Sequence, residues 1–313
     1  MNQQSWYNKT IEICKPSDMS NVVLLTHKGC LDGCGCALLF LKNGGKKENI
    51  KYIAAGTLEK IILEDPLLDS NKFLLFADIG LNHDNEDAIN KLEKRGNCII
   101  IDHHKTSASL KKREWCIIDS DNGGTACGTE LLRRYLQLED FDSKRISTII
   151  DDYDRWQLKI PESMQLATFM TWCGQDEFVS LMQNRNFSNG VFTESEKNIL
   201  RIIELRRDEN INKAIHKAIH KTILINNKIV KIAYVISNEA NASLLLGTLL
   251  NKYQDLDCAA QINFDKGVSL RSRNGYDVSS MAKIFGGGGH AGASAHPFKK
   301  DFIKNIIEEV HNG

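Results

Sequence analysis

The chain has 313 residues, 42% hydrophobic and 26% charged, with Lys plus Arg equal to Asp plus Glu at 40 each. That length accommodates two domains of ordinary size. Zero net charge argues against a protein that coats long duplex nucleic acid, which needs many phosphate contacts, but leaves room for a small anion held in a local basic pocket. No apolar run reaches the length of a membrane span, and Met1 to Trp6 lack the charged start and apolar core of a signal peptide. Nine cysteines without a regular framework read as reduced thiols in a cytoplasm.

Val22-Val23-Leu24-Leu25 reads as a buried strand. It ends in Thr26-His27-Lys28-Gly29-Cys30-Leu31-Asp32-Gly33, a histidine and an acid just past a strand. Cys34 to Leu41 is small and apolar, suited to a helix packed on a sheet. Lys51 to Ala55 reads as another strand, and Phe73 to Ala77 as a further one that ends in Asp78-Ile79-Gly80. Asp84 to Arg95 has helical spacing, and the apolar run Cys98 to Ile101 leads straight into Asp102-His103-His104. Strands alternating with helical segments predict βαβ units, hence an α/β fold with a mainly parallel sheet and helices on both faces. In such open sheets ligands lie at the carboxyl ends of the strands.

Asp32, Asp78 and Asp102 therefore share one sheet edge. A single acid after a strand usually caps the next helix. Three, together with His27, His103 and His104, are hard to explain as caps. Buried like charges repel, and a bound cation is the usual remedy. Carboxylate oxygen mixed with imidazole nitrogen suits Mn²⁺, Mg²⁺ or Zn²⁺.

Beyond Asp119 and the turn Asn122-Gly123-Gly124, Thr125 to Leu136 reads as an amphipathic helix. A second helix, about Asp142 to Ile150, leads to Asp151-Asp152-Tyr153-Asp154, read either as further ligands or as a solvated helix end. Thr193 with Glu196 forms a capping-box pattern opening a charged helix that runs to about Lys221 as a link between domains. His216 and His220 lie one turn apart on it with no third ligand nearby, which favours a solvated face. Lys228 to Ile236, Cys258 to Phe264 and Gly267 to Arg273 read as strands, Ala242 to Leu250 and Asp277 to Phe285 as helices. Arg271 and Arg273 alternate along their strand and point to one side. The run Gly286-Gly287-Gly288-Gly289-His290 permits close backbone approach to a ligand and offers N–H donors to an anion. No GxGxxG follows a first strand, so a dinucleotide-binding reading has little support.

The set and order of these residues resemble the DHH phosphoesterases, in the branch with a DHH-associated C-terminal domain that includes nanoRNases and oligonucleotide and cyclic-dinucleotide phosphodiesterases. The likeness rests on His27 with Asp32-Gly33, Asp78, Asp102-His103-His104, Asp152, and the tail Ser269 to Arg273 with Phe285 to His290. It implies two divalent ions, usually Mn²⁺, with Mg²⁺ or another ion as the alternative, bridged by Asp78. His27 and an acid of the first motif hold one ion, and Asp78, His103 and Asp152 hold the other. Asp154 stands as a second candidate beside Asp152. Asp102 orients a histidine or ligates directly, and His104 faces the scissile phosphate. Arg271, Arg273 and Gly287, Gly288, Gly289 and His290 hold the rest of the substrate. The family commonly has two acids in its first motif, one residue apart. Here Asp32 has Cys30 before it and Cys34 after it, as in a subgroup written His-x-x-Cys-x-Asp-Gly, so one oxygen ligand is replaced by a thiol at Cys30 or is absent. Cys34 and Cys36 read as small core residues, since a structural zinc site normally needs four ligands.

The expected organisation is a catalytic metal-binding domain over 1–192, a linker helix over 193–221 and a substrate-binding domain over 222–313. The expected activity is hydrolysis of short single-stranded oligonucleotides or dinucleotides to nucleoside monophosphates. A phosphoanhydride or phosphomonoester hydrolase, such as an exopolyphosphatase, is one alternative. A nucleotide-binding sensor that has lost catalysis is another. The identity of the nucleic acid, its polarity and a homodimeric state stay open at this point.

Overall fold

Five parallel strands form the first sheet: β1 (Val22–His27), β2 (Ile50–Ile53), β3 (Phe73–Ala77), β4 (Cys98–Asp102) and β5 (Cys116–Ile118). Their order is β2-β1-β3-β4-β5. The helices of this part are α1 (Leu31–Lys42), α2 (Leu58–Glu64), α3 (Glu86–Arg95), α4 (Gly128–Leu136), α5 (Phe141–Asp154), α6 (Pro161–Cys173) and α7 (Gln175–Met182). The computed structural model describes residues 16–298 except 17, 55, 67–70, 83, 122–123, 226–227, 239–240 and 274. Met1 to Trp6, Asn122 and Gly123 lie outside the described residues.

Alternate residues of each strand enter two different cores. Leu24, Leu75, Ile99 and Ile101 pack with α1 and α4 to α7, while Val23, Leu25, Phe76 and Ile100 pack with Leu58 and Ile62 of α2 and Ala88, Ile89 and Leu92 of α3. A sheet covered on both faces needs apolar residues at every position, which is why its strands read as unbroken hydrophobic runs. Helix α1 is buried over ten consecutive residues from Leu31 to Phe40, so small Cys34, Cys36 and Ala37 let neighbouring helices close on it. That is the core role expected of Cys34 and Cys36. Helices α2, α6 and α7 and strand β5 were not expected from sequence. Each is short or weakly periodic.

The chain divides into two compact units, Met1–Leu200 and Arg201–Gly313. Helix α8 (Glu194–His216) crosses that division. Its start is a capping box: Glu196 Oε2 accepts from the Thr193 N–H at 2.7 Å, and Thr193 Oγ1 accepts from the Glu196 N–H at 3.3 Å. The helix stops at His216 rather than near Lys221. His220 lies on strand β6 (Ile219–Ile225), its ring against Tyr253 with centroids 4.6 Å apart. The two histidines therefore do not share a helix face.

The second unit holds a mixed sheet of β6, β7 (Lys228–Ile236), β8 (Cys258–Asn263), β9 (Gly267–Ser272), β10 (Gly288–His290) and β11 (Ala293–His296), in the order β10-β11-β9-β8-β7-β6. Only β7 and β8 pair in parallel, joined through α9 (Ala242–Lys252). Helix α10 (Val278–Ile284) packs on the opposite face. The end of the glycine run, Gly288–His290, is an edge strand rather than an open loop. Two glycines of the run serve packing: a Cβ on Gly287 would lie 2.1 Å from the carbonyl oxygen of Ala295 and one on Gly289 2.6 Å from that of Ala293, whereas one on Gly288 would meet nothing within 4 Å.

Glycine also permits a close approach in the first unit. A Cβ on Gly128 would stand 2.6 Å from Cβ and 2.8 Å from Cα of Asp78. Gly128→Ala gains at most about 1 kcal/mol of helix propensity, whereas overpacking against backbone costs about 1–3 kcal/mol. The expected result is a net loss of stability in urea unfolding. An unchanged or raised midpoint would show that the close approach carries no constraint.

Candidate metal centre

The order 2-1-3-4-5 places a switch point between β1 and β3, where the chain's direction across the sheet reverses and ligands of doubly wound sheets collect. His27 ends β1, Asp78 follows β3, Asp102 ends β4 and His103 follows it. Cys30 and Asp32 lie at the start of α1, and Asp154 closes α5. Asp78 has φ +58. The left-handed region is unfavourable for most residues, though Asp tolerates it better than most, and here it turns the carboxylate into the cluster.

The two oxygens of Asp78 face different partners. Oδ2 lies 3.1 Å from Cys30 Sγ and 3.8 Å from His27 Nδ1. Oδ1 lies 3.4 Å from His103 Nε2 and 3.9 Å from His104 Nδ1. His103 Nε2 also lies 3.6 Å from Asp32 Oδ2 and 3.5 Å from Asp154 Oδ2. His27, Cys30 and Asp78 make one group of potential metal ligands, and Asp32, His103 and Asp154 make another. A third group joins Asp78, Asp102, His103 and His104, so Asp78 links the first group to His103 of the second.

Electrostatics point the same way. Burial, then the charge of Asp32, pushes the Asp78 carboxyl well above the usual carboxylate range. The same two causes push Asp154 up to about 7. Burial, then Asp78, pushes the Cys30 thiol far up, so without a cation it is a thiol donating to Asp78. Burial, then the neighbouring His104, lowers His27 toward the neutral form that ligates. His103 Nε2 is buried with no hydrogen-bond partner while facing three carboxylates. A buried polar atom without a partner is rare. The residues fit divalent cations, which would satisfy that nitrogen and the crowded acids together.

Other acids of the region have different tasks. Asp102 is fully buried; Oδ1 pairs with His104 Nδ1 at 2.7 Å and Oδ2 accepts from the Ser107 hydroxyl. Burial works to lower the His104 pKa, but Asp102 outweighs it and raises the ring to about 9. Ser107 went unnoticed in the sequence; its only signal is that it lies five residues beyond Asp102. Asp32 combines two roles, since its oxygens also accept the N–H groups of Gly128 and Thr129, each at 2.7 Å, at the start of α4.

The run 151–154 divides its acids three ways. Asp151 accepts the Cys127 N–H at 2.7 Å. Asp152, the ligand expected from the family pattern, is not brought into these ligand groups; its oxygens accept the N–H groups of Lys159 at 2.9 Å and Ile160 at 3.1 Å. Asp154 enters the cluster instead. In the second unit, Arg271 donates from Nη1 to the Leu270 carbonyl at 2.8 Å and from Nη2 to Ser243 Oγ at 2.6 Å. Arg273 lies past the end of β9, with Nη2 donating to Asn251 Oδ1 at 2.6 Å. Gly288 and Gly289 pair with Ala295 and Ser294 in β10, which His290 ends; the His290 side chain is outside the described residues.

Ligand groups sharing a carboxylate are the arrangement by which two closely spaced ions clamp a phosphoryl group, and the class so defined is that of metal-dependent phosphoesterases. The fold is that of DHH proteins with a DHH-associated C-terminal domain, and the sequence is similar to that of an oligoribonuclease. It is 28% identical over 302 residues to oligoribonuclease NrnB of Bacillus subtilis (strain 168), a match that covers 90% of this chain and 74% of that protein. A solved DHH domain, described as coming from a member of a family of ribosomal proteins, shares the fold at a TM-score of 0.65 and 12% identity, covering 98% of this chain and 91% of that one. The pGpG-specific phosphodiesterase PggH of Vibrio cholerae shares it at 0.56 and 11%, covering 92% and 97%. No protein-family model matches the chain.

A carboxyl raised in the folded state holds a proton that the unfolded chain has already lost. Asp154 therefore costs the metal-free protein stability as pH rises from its ordinary value of 3.8 to about 7. A bound cation takes only the ionised form and reverses that cost. The gain in Tm on adding Mn²⁺ is expected to grow between pH 5 and 8 and to lose most of its pH dependence in Asp154→Asn. Thermal melts across that range with and without Mn²⁺ check this; a gain independent of pH in the wild type would remove Asp154 from the binding site.

Proposed function

We propose that the protein hydrolyses phosphodiester bonds of short single-stranded oligonucleotides or dinucleotides, with two divalent ions, Mn²⁺ foremost, and releases nucleoside monophosphates. The observation that carries the reading is the buried, unpartnered Nε2 of His103 among three carboxylates. One ion is assigned to His27, Cys30 and Asp78, and the other to Asp32, Asp78, His103 and Asp154. Asp102 is kept as a positioning residue because its oxygens hold the His104 ring and the Ser107 hydroxyl. The relative named an oligoribonuclease supports RNA as the substrate. Cys30 sulfur supplies the donor for which the first motif lacks an acid, which argues for an active enzyme over a sensor. It must be reduced to do so, which suits a cytoplasmic setting.

When bound, the ions supply positive charge to the phosphoryl oxygens and acidify the attacking water. The chain's own groups do the remainder. His104, protonated at neutral pH and donating Nδ1–H to Asp102, is left with Nε2–H for the phosphate or the leaving oxygen. Asp102 and Ser107 fix that ring. In the second unit Arg271, Arg273 and the edge strand Gly288–His290 bind the portion of substrate beyond the scissile bond.

Asp78→Asn is expected to abolish Mn²⁺-dependent dinucleotide cleavage while leaving the fold intact, exceeding the roughly 10–100-fold effect of altering groups around the ligands. Steady-state kinetics and circular dichroism read both, and near-normal turnover at low Mn²⁺ would overturn the two-ion reading.

Arg271→Ala removes a charge-assisted contact worth about 1.5–3 kcal/mol, or roughly one to two decades in kcat/KM for a dinucleotide or trinucleotide. A minimal chromogenic phosphodiester too small to reach Arg271 should be cleaved almost as by wild type. Equal losses on both substrates would place Arg271 in the fold or the chemistry instead.

A further inference from the structure

Immediately after Asp154 the chain does something unusual. Trp156 has φ +55 and Leu158 φ +51, a backbone region that bulky side chains rarely adopt. Both side chains are exposed, Trp156 at 46%. A strained, exposed tryptophan persists only where its surroundings hold it, and here the hold is specific. The Trp156 N–H donates to the Tyr153 carbonyl and the Gln157 N–H to the Asp152 carbonyl, each at 2.9 Å. The Asp152 carboxylate takes the N–H groups of Lys159 and Ile160. Asp152 thus grips the far side of the loop that carries Trp156.

The loop's position gives this meaning. Trp156 is two residues from Asp154, so their Cα atoms are at most about 7 Å apart. Its ring meets Tyr153 edge to face, with centroids 5.7 Å apart. An aromatic face is therefore held partly in solvent on the loop that leaves Asp154, against Tyr153.

We infer that Trp156 is a nucleobase-stacking platform of the first unit, taking the base attached to the phosphate that the cluster binds, with Asp152 as its positioning residue. Stacking on an aromatic face tolerates any base and adds affinity without sequence choice. The inference rests on the phosphodiesterase reading for its substrate but is testable apart from it. The probes are adenosine 5′-monophosphate and ribose 5-phosphate, which share a phosphate and differ by the base, titrated calorimetrically in the presence of Mn²⁺. Wild type should prefer the base-bearing ligand by roughly ten- to a hundredfold. Trp156→Asn, a residue suited to the left-handed backbone, should reduce that preference to less than about threefold while leaving ribose 5-phosphate affinity and the Mn²⁺-induced Tm gain unchanged. Trp156→Phe should keep most of the preference, and Trp172→Ala, which removes another exposed tryptophan, should keep all of it. No preference in wild type, or a preference that survives Trp156→Asn, overturns the platform. A retained platform in a protein that cleaves no dinucleotide would instead overturn the proposed reaction.

Discussion

Three carboxylates, Asp32, Asp78 and Asp154, crowd around one imidazole nitrogen at the edge of a parallel sheet. In water this arrangement would cost little. In a buried edge each charge disfavours the next, which is why Asp78 and Asp154 are both pushed toward the protonated form. Relief comes from protons, which leave His103 Nε2 facing acids that have lost their charge, or from cations, which use every group at once. The choice between them implies that cation binding at this cluster is favoured at neutral pH over acid pH.

That crowding depends on backbone approach. A Cβ on Gly33 would lie 2.1 Å from the His27 carbonyl oxygen, and one on Gly80 would lie 2.1 Å from Ser107 Oγ and 2.8 Å from Asp102 Oδ2. Together with Gly128 beneath Asp78, these positions bring α1, the β3 turn and α4 close enough for their polar groups to converge. The N–H groups at the start of α4 also bind Asp32. One acid is therefore stabilised by a helix terminus while still offering an oxygen to His103.

The strands could be read because a doubly covered parallel sheet admits only apolar residues, and each of its runs stops where the chemistry starts. His27, Asp78 and Asp102 to His104 stood out for that reason. The acids at 151–154 could not be sorted from sequence. Side chains two apart on a helix point to nearly opposite sides, so Asp152 and Asp154 cannot share a target, but which one faces the cluster depends on how α5 packs. The glycine run misled for a related reason. Glycine marks close approach without saying whether the neighbour is a ligand or, as at Gly287, the adjoining strand. The end of α8 was missed because Lys217 to Thr222 carries no proline or glycine to stop a helix; pairing with β7 stops it instead.

Asp102 illustrates how much of a motif can be chemistry at one remove. The triplet Asp102-His103-His104 looks like three adjacent ligands, yet neighbours after a strand point in different directions. His103 turns into the acid cluster. Asp102, fully buried, spends one oxygen on Ser107 and the other on His104. A buried carboxylate with two donors remains ionised, and its lowered pKa follows from those hydrogen bonds outweighing burial. That fixed negative charge keeps His104 cationic beside Asp78. The triplet therefore joins a cation-seeking imidazole and a cationic imidazole on consecutive residues, and only the second needs the aspartate.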